Sequence, residues 1–180
     1  FLPATVPPDG SAAARTITLR GLHYGFNTPP ATIVASVGST VCDTTSWVSN
    51  TEVTCVVPKG VGNARALVLT VSGQTSSATP MTFTYTAPSV TQLDPPTEGP
   101  GSGITFTING ANFGPSPGTV VDVTIGGQTC GGALWKSDTR VTCVLPQHTG
   151  ASLAVLVTVS SLVSSGGVPL FTYTAPTVAS

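Results

Sequence analysis

Apolar and polar residues alternate in short runs along most of this chain. In Thr16-Ile17-Thr18-Leu19-Arg20 the alternation puts Ile17 and Leu19 on one face, and Thr105-Phe106-Thr107-Ile108-Asn109 does the same with Phe106 and Ile108. A period of two predicts a half-buried β-strand, because successive strand side chains point to opposite faces. Further strands are predicted over 31–37 and 120–125, and over 53–57 and 141–145 with Pro58 and Pro146 as stops. The runs 82–86 and 171–173 turn Phe83, Tyr85, Phe171 and Tyr173 inward. Residues 66–71 and 154–159 are apolar on both faces apart from one threonine, as a central strand would be. Gly21-Leu22-His23-Tyr24-Gly25 and Gly110-Ala111-Asn112-Phe113-Gly114 each bracket an aromatic with glycines. They predict tight turns with positive φ that tuck Tyr24 and Phe113 against the core. Six or seven short strands in each half, with turn signals about every ten residues, read as all-β sandwiches.

The pattern occurs twice. Cys42–Pro58 and Cys130–Pro146 are identical at nine of seventeen positions, with both cysteines, the tryptophan, a serine, a threonine and the closing proline in step. Their offset of 88 residues divides the chain into tandem units over 1–88 and 89–176. Each unit ends in Phe-Thr-Tyr-Thr-Ala-Pro, and residues 177–180 read as the start of a further unit. Phe1-Leu2-Pro3 reads in the same way as the tail of an earlier one. Pro88, Pro95 and Pro96, with Asp94 and Glu98 beside them, are expected to form the linker. Proline fixes its own φ and restricts the residue before it, so the junction is expected to be semi-rigid.

Composition narrows the function classes. Charged residues make up 7% of the chain, against about 25% in typical soluble domains, so the surface is made polar mainly by hydroxyls. Six basic residues are scattered along the chain and the net charge is −1, which leaves no basic stripe for nucleic acid and no polybasic patch for anionic lipid. No apolar run approaches the roughly 20 residues of a membrane span, and the first residues do not read as a signal peptide, so no direct membrane insertion is expected.

The four cysteines fall as one pair per unit, thirteen residues apart. No CxxC pair suits zinc or thiol redox chemistry, and His23 and His148 do not align in the repeat. The remaining reading is a local disulfide in each unit, Cys42–Cys55 and Cys130–Cys143. Closing a loop of this length contributes about 3 kcal/mol and places the protein outside the reducing cytosol.

The second unit carries Gly110–Gly114 after a Thr-rich strand, then Ile125-Gly-Gly-x-x-Cys130, then Ser137-x-Thr-x-Val-Thr-Cys-x-x-Pro146, then Phe171-Thr-Tyr173. In this joint spacing the chain resembles the IPT/TIG domains. The first unit departs from the pattern at Leu22-His23-Tyr24 and at Val37-Gly38-Ser39. The resemblance covers essentially the whole chain and implies two immunoglobulin-like sandwiches, each with a local cystine. Members of the family occur in plexin- and Met-like receptor ectodomains, fibrocystin-like and microbial surface proteins, and starch-acting enzymes. They also occur in some transcription factors, a role that the paired cysteines and the lack of basic surface oppose.

No constellation for catalysis is legible. Asp9, Asp43, Glu52, Asp94, Glu98, Asp122 and Asp138 are spread thinly, and two near-copies do not suit a single active site. Asp94 and Glu98 alone make a poor calcium cage, so neither metal nor cofactor is expected. Trp47 and Trp135 invite a sugar-stacking reading, but their shared place between the cysteines points to packing over the disulfide or a sheet edge. Tyr24, Phe113, Phe83, Tyr85, Phe171 and Tyr173 are likewise expected in the core. Asn27-Thr28-Pro29 is not an N-glycosylation acceptor, whereas Ser/Thr/Pro stretches such as 115–117 suit O-linked sugars. The expected function is a non-catalytic structural or adhesive segment of a large extracellular or cell-surface repeat protein. Its expected partners are neighbouring repeats of the same chain, and proteins or further copies at the cell surface. Two alternatives stand beside it: a ligand-binding receptor ectodomain module, and a carbohydrate-binding accessory module.

Overall fold

The computed structural model describes residues 6–8, 10–11, 13–26, 29–76, 81–99, 103–117, 119–165 and 169–178. The expectations at Phe1–Pro3, at Asn27-Thr28 and at the last two residues of the 177–180 segment lie outside these. The chain forms two compact units, Phe1–Thr86 and Ala87–Ser180.

In unit 1 the strands are β1 (Thr16–Arg20), β2 (Ile33–Val37), β3 (Thr40–Val41), β4 (Thr44–Ser49), β5 (Glu52–Val56), β6 (Arg65–Val71), β7 (Gln74–Thr75) and β8 (Met81–Phe83). One sheet runs β1-β5-β4 and the other β3-β2-β6-β7, with β8 also on β6. Alternate residues of both sheets are buried: Ile17, Leu19, Val53 and Cys55 from the first, Ala35, Val37, Leu67, Leu69 and Phe83 from the second. That is the sandwich the period-two pattern predicts.

Unit 2 has β9 (Ser89–Asp94), β10 (Thr97–Glu98), β11 (Thr105–Ala111), β12 (Val121–Ile125), β13 (Gln128–Thr129), β14 (Gly131–Ser137), β15 (Arg140–Val144), β16 (Leu153–Val159), β17 (Leu162–Val163) and β18 (Leu170–Tyr173). Its sheets are β14-β15-β11-β9 and β10-β18-β16-β12-β13, with β17 on β16. Every pairing is antiparallel except β10 with β18, and Val6 bridges Tyr85 in parallel at the matching place in unit 1.

The expectation of six or seven strands per unit is too low, because short hairpin arms carry too few residues to show a period. The segment between the cysteines, expected to be a loop, is mostly strand. β4 pairs β5 from Thr44↔Val56 to Ser49↔Glu52, and β14 pairs β15 from Gly131↔Val144 to Ser137↔Arg140. As an edge strand it needs little apolar alternation, and β4 alternates only between exposed and half-buried positions. The runs that read as apolar on both faces are β6 and β16, central in their sheets as expected. They bury one face; the other is at most half-covered, because an antiparallel sandwich leaves its outer faces to water.

Candidate functional site

The most specialised local geometry in each unit is the corner where the chain passes between sheets. After β3, the Cys42 N–H still donates to Ala35 O on β2 (2.9 Å), whereas the Asp43 N–H already donates to Val56 O on β5 (2.9 Å). Cys42 is therefore the crossing residue, and its disulfide to Cys55 ties the crossing to the first sheet, with the Cα atoms 5.8 Å apart. Unit 2 repeats this. The Cys130 N–H donates to Val123 O (2.9 Å), and Cys130–Cys143 also spans 5.8 Å. All four cysteines are buried, and both disulfides join the residues the sequence pairs. The bond holds together two sheets that share few hydrogen-bonded neighbours, the place where a small sandwich has least backbone connection.

The tryptophans stand on edge strands, opposite Val53 and Val141. Both strands lie at a sheet edge, one of the two places expected for the indoles. Trp135 Nε1 donates to Gly114 O at 3.0 Å, and Asp138 Oδ1 accepts from the Gly114 N–H at 3.0 Å. The indole and the hairpin tip thus hold the Gly110–Gly114 turn from both sides. Trp47 Nε1 is buried and, among the described residues, has no hydrogen-bond partner. Both turns use positive φ at His23 (67°) and Asn112 (64°) and at Gly25 (119°) and Gly114 (109°). Gly21 and Gly110 serve a different end: a Cβ at Gly21 would collide with the Tyr24 hydroxyl, and one at Gly110 would lie 2.6 Å from Phe113 Cζ.

Phe113 is fully buried, as expected of a core ring. Tyr24 is not. It is only half-buried. The other four aromatics expected in the core, Phe83, Tyr85, Phe171 and Tyr173, are all buried. Tyr85 Oη donates to Pro58 O at 2.8 Å and Tyr173 Oη to Pro146 O at 2.6 Å, fastening the last strand of each unit to the proline that follows the cystine hairpin. Burial pushes all three phenols above their ordinary value; at Tyr85 the Arg65 and Arg15 charges pull partly against it and the Asp43 charge adds to it.

The linker residues need relocating. Asp94 is the last residue of β9, Asp94-Pro95 is cis, and Glu98 belongs to β10, where its carbonyl accepts from the Thr174 N–H (2.8 Å). Asp94, Pro95, Pro96 and Glu98 are therefore the point where unit 2's first strand changes sheets; only Pro88 lies beside the boundary between Thr86 and Ala87. Proline signals both a linker and a sheet switch, and its sequence context does not separate them.

Sequence reasoning missed Arg15, which is 5% exposed. Its guanidinium donates to Asp43 Oδ2 (2.7 Å), to Gly10 O (2.8 Å) and to Val57 O. The signal was present, since Arg15 is in phase with the inward-facing Ile17 and Leu19. Among the described residues no group of three His, Cys, Asp or Glu side chains converges as a metal site would require.

The IPT/TIG domain family model matches the chain twice, over residues 2–85 and 88–174. No curated protein matches it. Among solved structures, the plexin A4 extracellular region is similar at 20% identity and TM-score 0.45, over 96% of this chain and 17% of that one. The surface glycan-binding protein PbSGBP-B from Prevotella bryantii is similar at 16% identity and TM-score 0.50, over 83% of this chain and 35% of that one. The Yersinia pseudotuberculosis adhesin InvE is similar at 13% identity and TM-score 0.45, over 99% and 64%. The chain thus spans under a fifth of the plexin extracellular region, and at these identities the likeness is one of fold.

Proposed function

The chain belongs to the IPT/TIG domain family, present here as two tandem copies, and from that premise we propose that it is a non-catalytic structural and adhesive segment of a larger extracellular or cell-surface repeat protein. In this reading it is a semi-rigid spacer whose lateral surfaces meet protein partners. The observation that carries the reading is the duplication of a complete, self-contained staple: cystine corner, edge tryptophan and tyrosine latch recur in both units. A module that closes its own core needs nothing from its neighbours except a connection, which suits stringing in series.

Ala175-Pro176-Thr177-Val178 matches Ala87-Pro88-Ser89-Val90 at three of four positions, a repetition that suits a tandem array. Two disulfides support a location outside the reducing cytosol.

The test is a distance distribution between spin labels placed on exposed positions of the two units in the intact chain. A single narrow distance peak supports a semi-rigid spacer. A broad distribution, as a slack linker gives, contradicts it.

A further inference from the structure

Each unit lays a segment near its start alongside one near its end, and the two run the same way. In unit 2 the chain enters at Ser89, which pairs with Ala111 at the end of β11. It leaves at Tyr173, whose Oη donates to Pro146 O at 2.6 Å. The adjoining Leu145 N–H donates to Ile104 O (2.9 Å), just before β11 starts. Entry and exit therefore lie at opposite ends of the unit. Between them stands the parallel pair, with Thr97 opposite Thr172 and Glu98 opposite Tyr173. The Thr174 N–H donates to Glu98 O at 2.8 Å and the Thr172 N–H to Pro96 O at 3.5 Å. Unit 1 has a shorter form of the same arrangement: Val6 bridges Tyr85 in parallel, and the Thr86 N–H donates to Val6 O at 2.8 Å.

The direction of load decides what the parallel pair does. Tension on the two ends of unit 2 draws β10 back towards the entry and β18 on towards the exit. Because the strands are parallel, they slide along one another. Their hydrogen bonds run across the strands, so sliding strains them together rather than in turn. Had these strands been antiparallel, both ends would leave from one side and the pair would open one bond at a time. β9 is also drawn along its own length, against β11, with which it pairs from Asp94↔Thr107 to Ser89↔Ala111.

We propose that the β10–β18 pair is a shear clamp, which lets unit 2 carry tension along the chain without unfolding, so that the segment is a load-bearing tether as well as a spacer. This rests on the reading of the chain as a segment in series, since such a segment is pulled through its ends. The clamp acts on a rate. Forced unfolding follows the unfolding barrier rather than the equilibrium stability, so one fold has different strengths in different directions.

The test is single-molecule pulling of the intact chain in two directions. In the first, handles on the half-buried Ala87 and the exposed Thr177 load β10 and β18 in opposite senses along their length. In the second, handles on the exposed Thr105 and on Thr177 draw β18 away from its exit end, one bond after another. At equal loading rate the first direction is expected to need a force higher by about twofold or more, because the bonds share the load instead of taking it singly. Thr174→Pro, at an exposed position, removes the N–H that bonds Glu98 O and is expected to bring the two forces close together. The proposal is overturned if the two directions unfold unit 2 at equal force, if the second needs more, or if folded T174P keeps the full ratio. The two directions in the unaltered chain decide the matter should the variant fold poorly. A broad spin-label distribution would contradict the semi-rigid junction and leave this ratio untouched, so the two readings fail separately.

Discussion

The two units share one plan and spend their corners differently. Unit 2 runs a chain of rings through its core: Phe106 meets Phe171 at 5.1 Å, Phe171 meets Tyr173 at 5.0 Å, and His148 caps Tyr173. Among the described residues, unit 1 has just Phe83 against Tyr85, at 5.1 Å. Where unit 2 has Phe106 and Phe113, unit 1 has Ile17 and the half-buried Tyr24. Where unit 2 satisfies its tryptophan N–H, unit 1 has no partner for it among the described residues. Where unit 2 has a partly exposed Ile104, unit 1 buries Arg15 against Asp43. The Asp43 side chain is 48% exposed, so solvent screens the pair while Arg15 still loses its hydration, and the pair is weak support for stability. The two copies therefore fill their corners differently: unit 2 is the copy packed for hold, and unit 1 carries more polar groups at the matching places.

The largest expected break in this comparison comes from the turn aromatics. Phe113→Ala, at a fully buried ring, is expected to cost about 3–5 kcal/mol, and Tyr24→Ala clearly less, measured by denaturant unfolding of the whole chain. Equal losses would remove the distinction between the two turns. Next in size are the disulfides. Replacing either pair, C42A/C55A or C130A/C143A, is expected to destabilise its own unit by about 3 kcal/mol, with similar losses because the loops are equal in length. A loss in one unit only would mean that the two staples are not equivalent.

Smaller again is the tryptophan pair. Trp135→Phe removes a satisfied hydrogen bond, whereas Trp47→Phe removes an unpaired buried donor, so the first is expected to cost about 1 kcal/mol more than the second. A reversed order in melting temperatures would contradict the assignment of the two indoles. The mildest perturbation is alkaline pH. The phenol values of Tyr24, Tyr85 and Tyr173 are raised in the fold, so the native state holds these protons more tightly than the unfolded chain does. That stability is complete below the unfolded value of about 10 and is lost as pH rises through the folded values. Ultraviolet titration of phenolate should accordingly show all three tyrosines ionising above the free amino acid, and ionisation at the free value would refute the burial argument.

Much of this was legible in the sequence for physical reasons that also mark the limits. Core strands such as β1 and β11 announce themselves because one face must be apolar, and the cystine pairs follow from the repeat. The edge strands β4 and β14 were hidden, since hydroxyls and half-buried positions give no hydropathy period. Asp94–Glu98 looked like a linker because proline at a sheet switch and proline at a junction read alike. Arg15 was overlooked as a scattered charge although its phase with Ile17 and Leu19 pointed inward. Gly60 and Arg65, where unit 2 has His148 and Leu153, leave a space of ≈ 200 Å³ beside Tyr85. Only the paired structures display that difference as an opening.

Native-state hydrogen exchange on the intact chain, resolved by residue, tests the central claim most directly. If unit 2 is the copy packed for hold, the core amides of β15 and β16 exchange more slowly than those of β5 and β6, with two separate limiting opening free energies. Equal protection in the two units, or slower exchange in unit 1, would contradict the account.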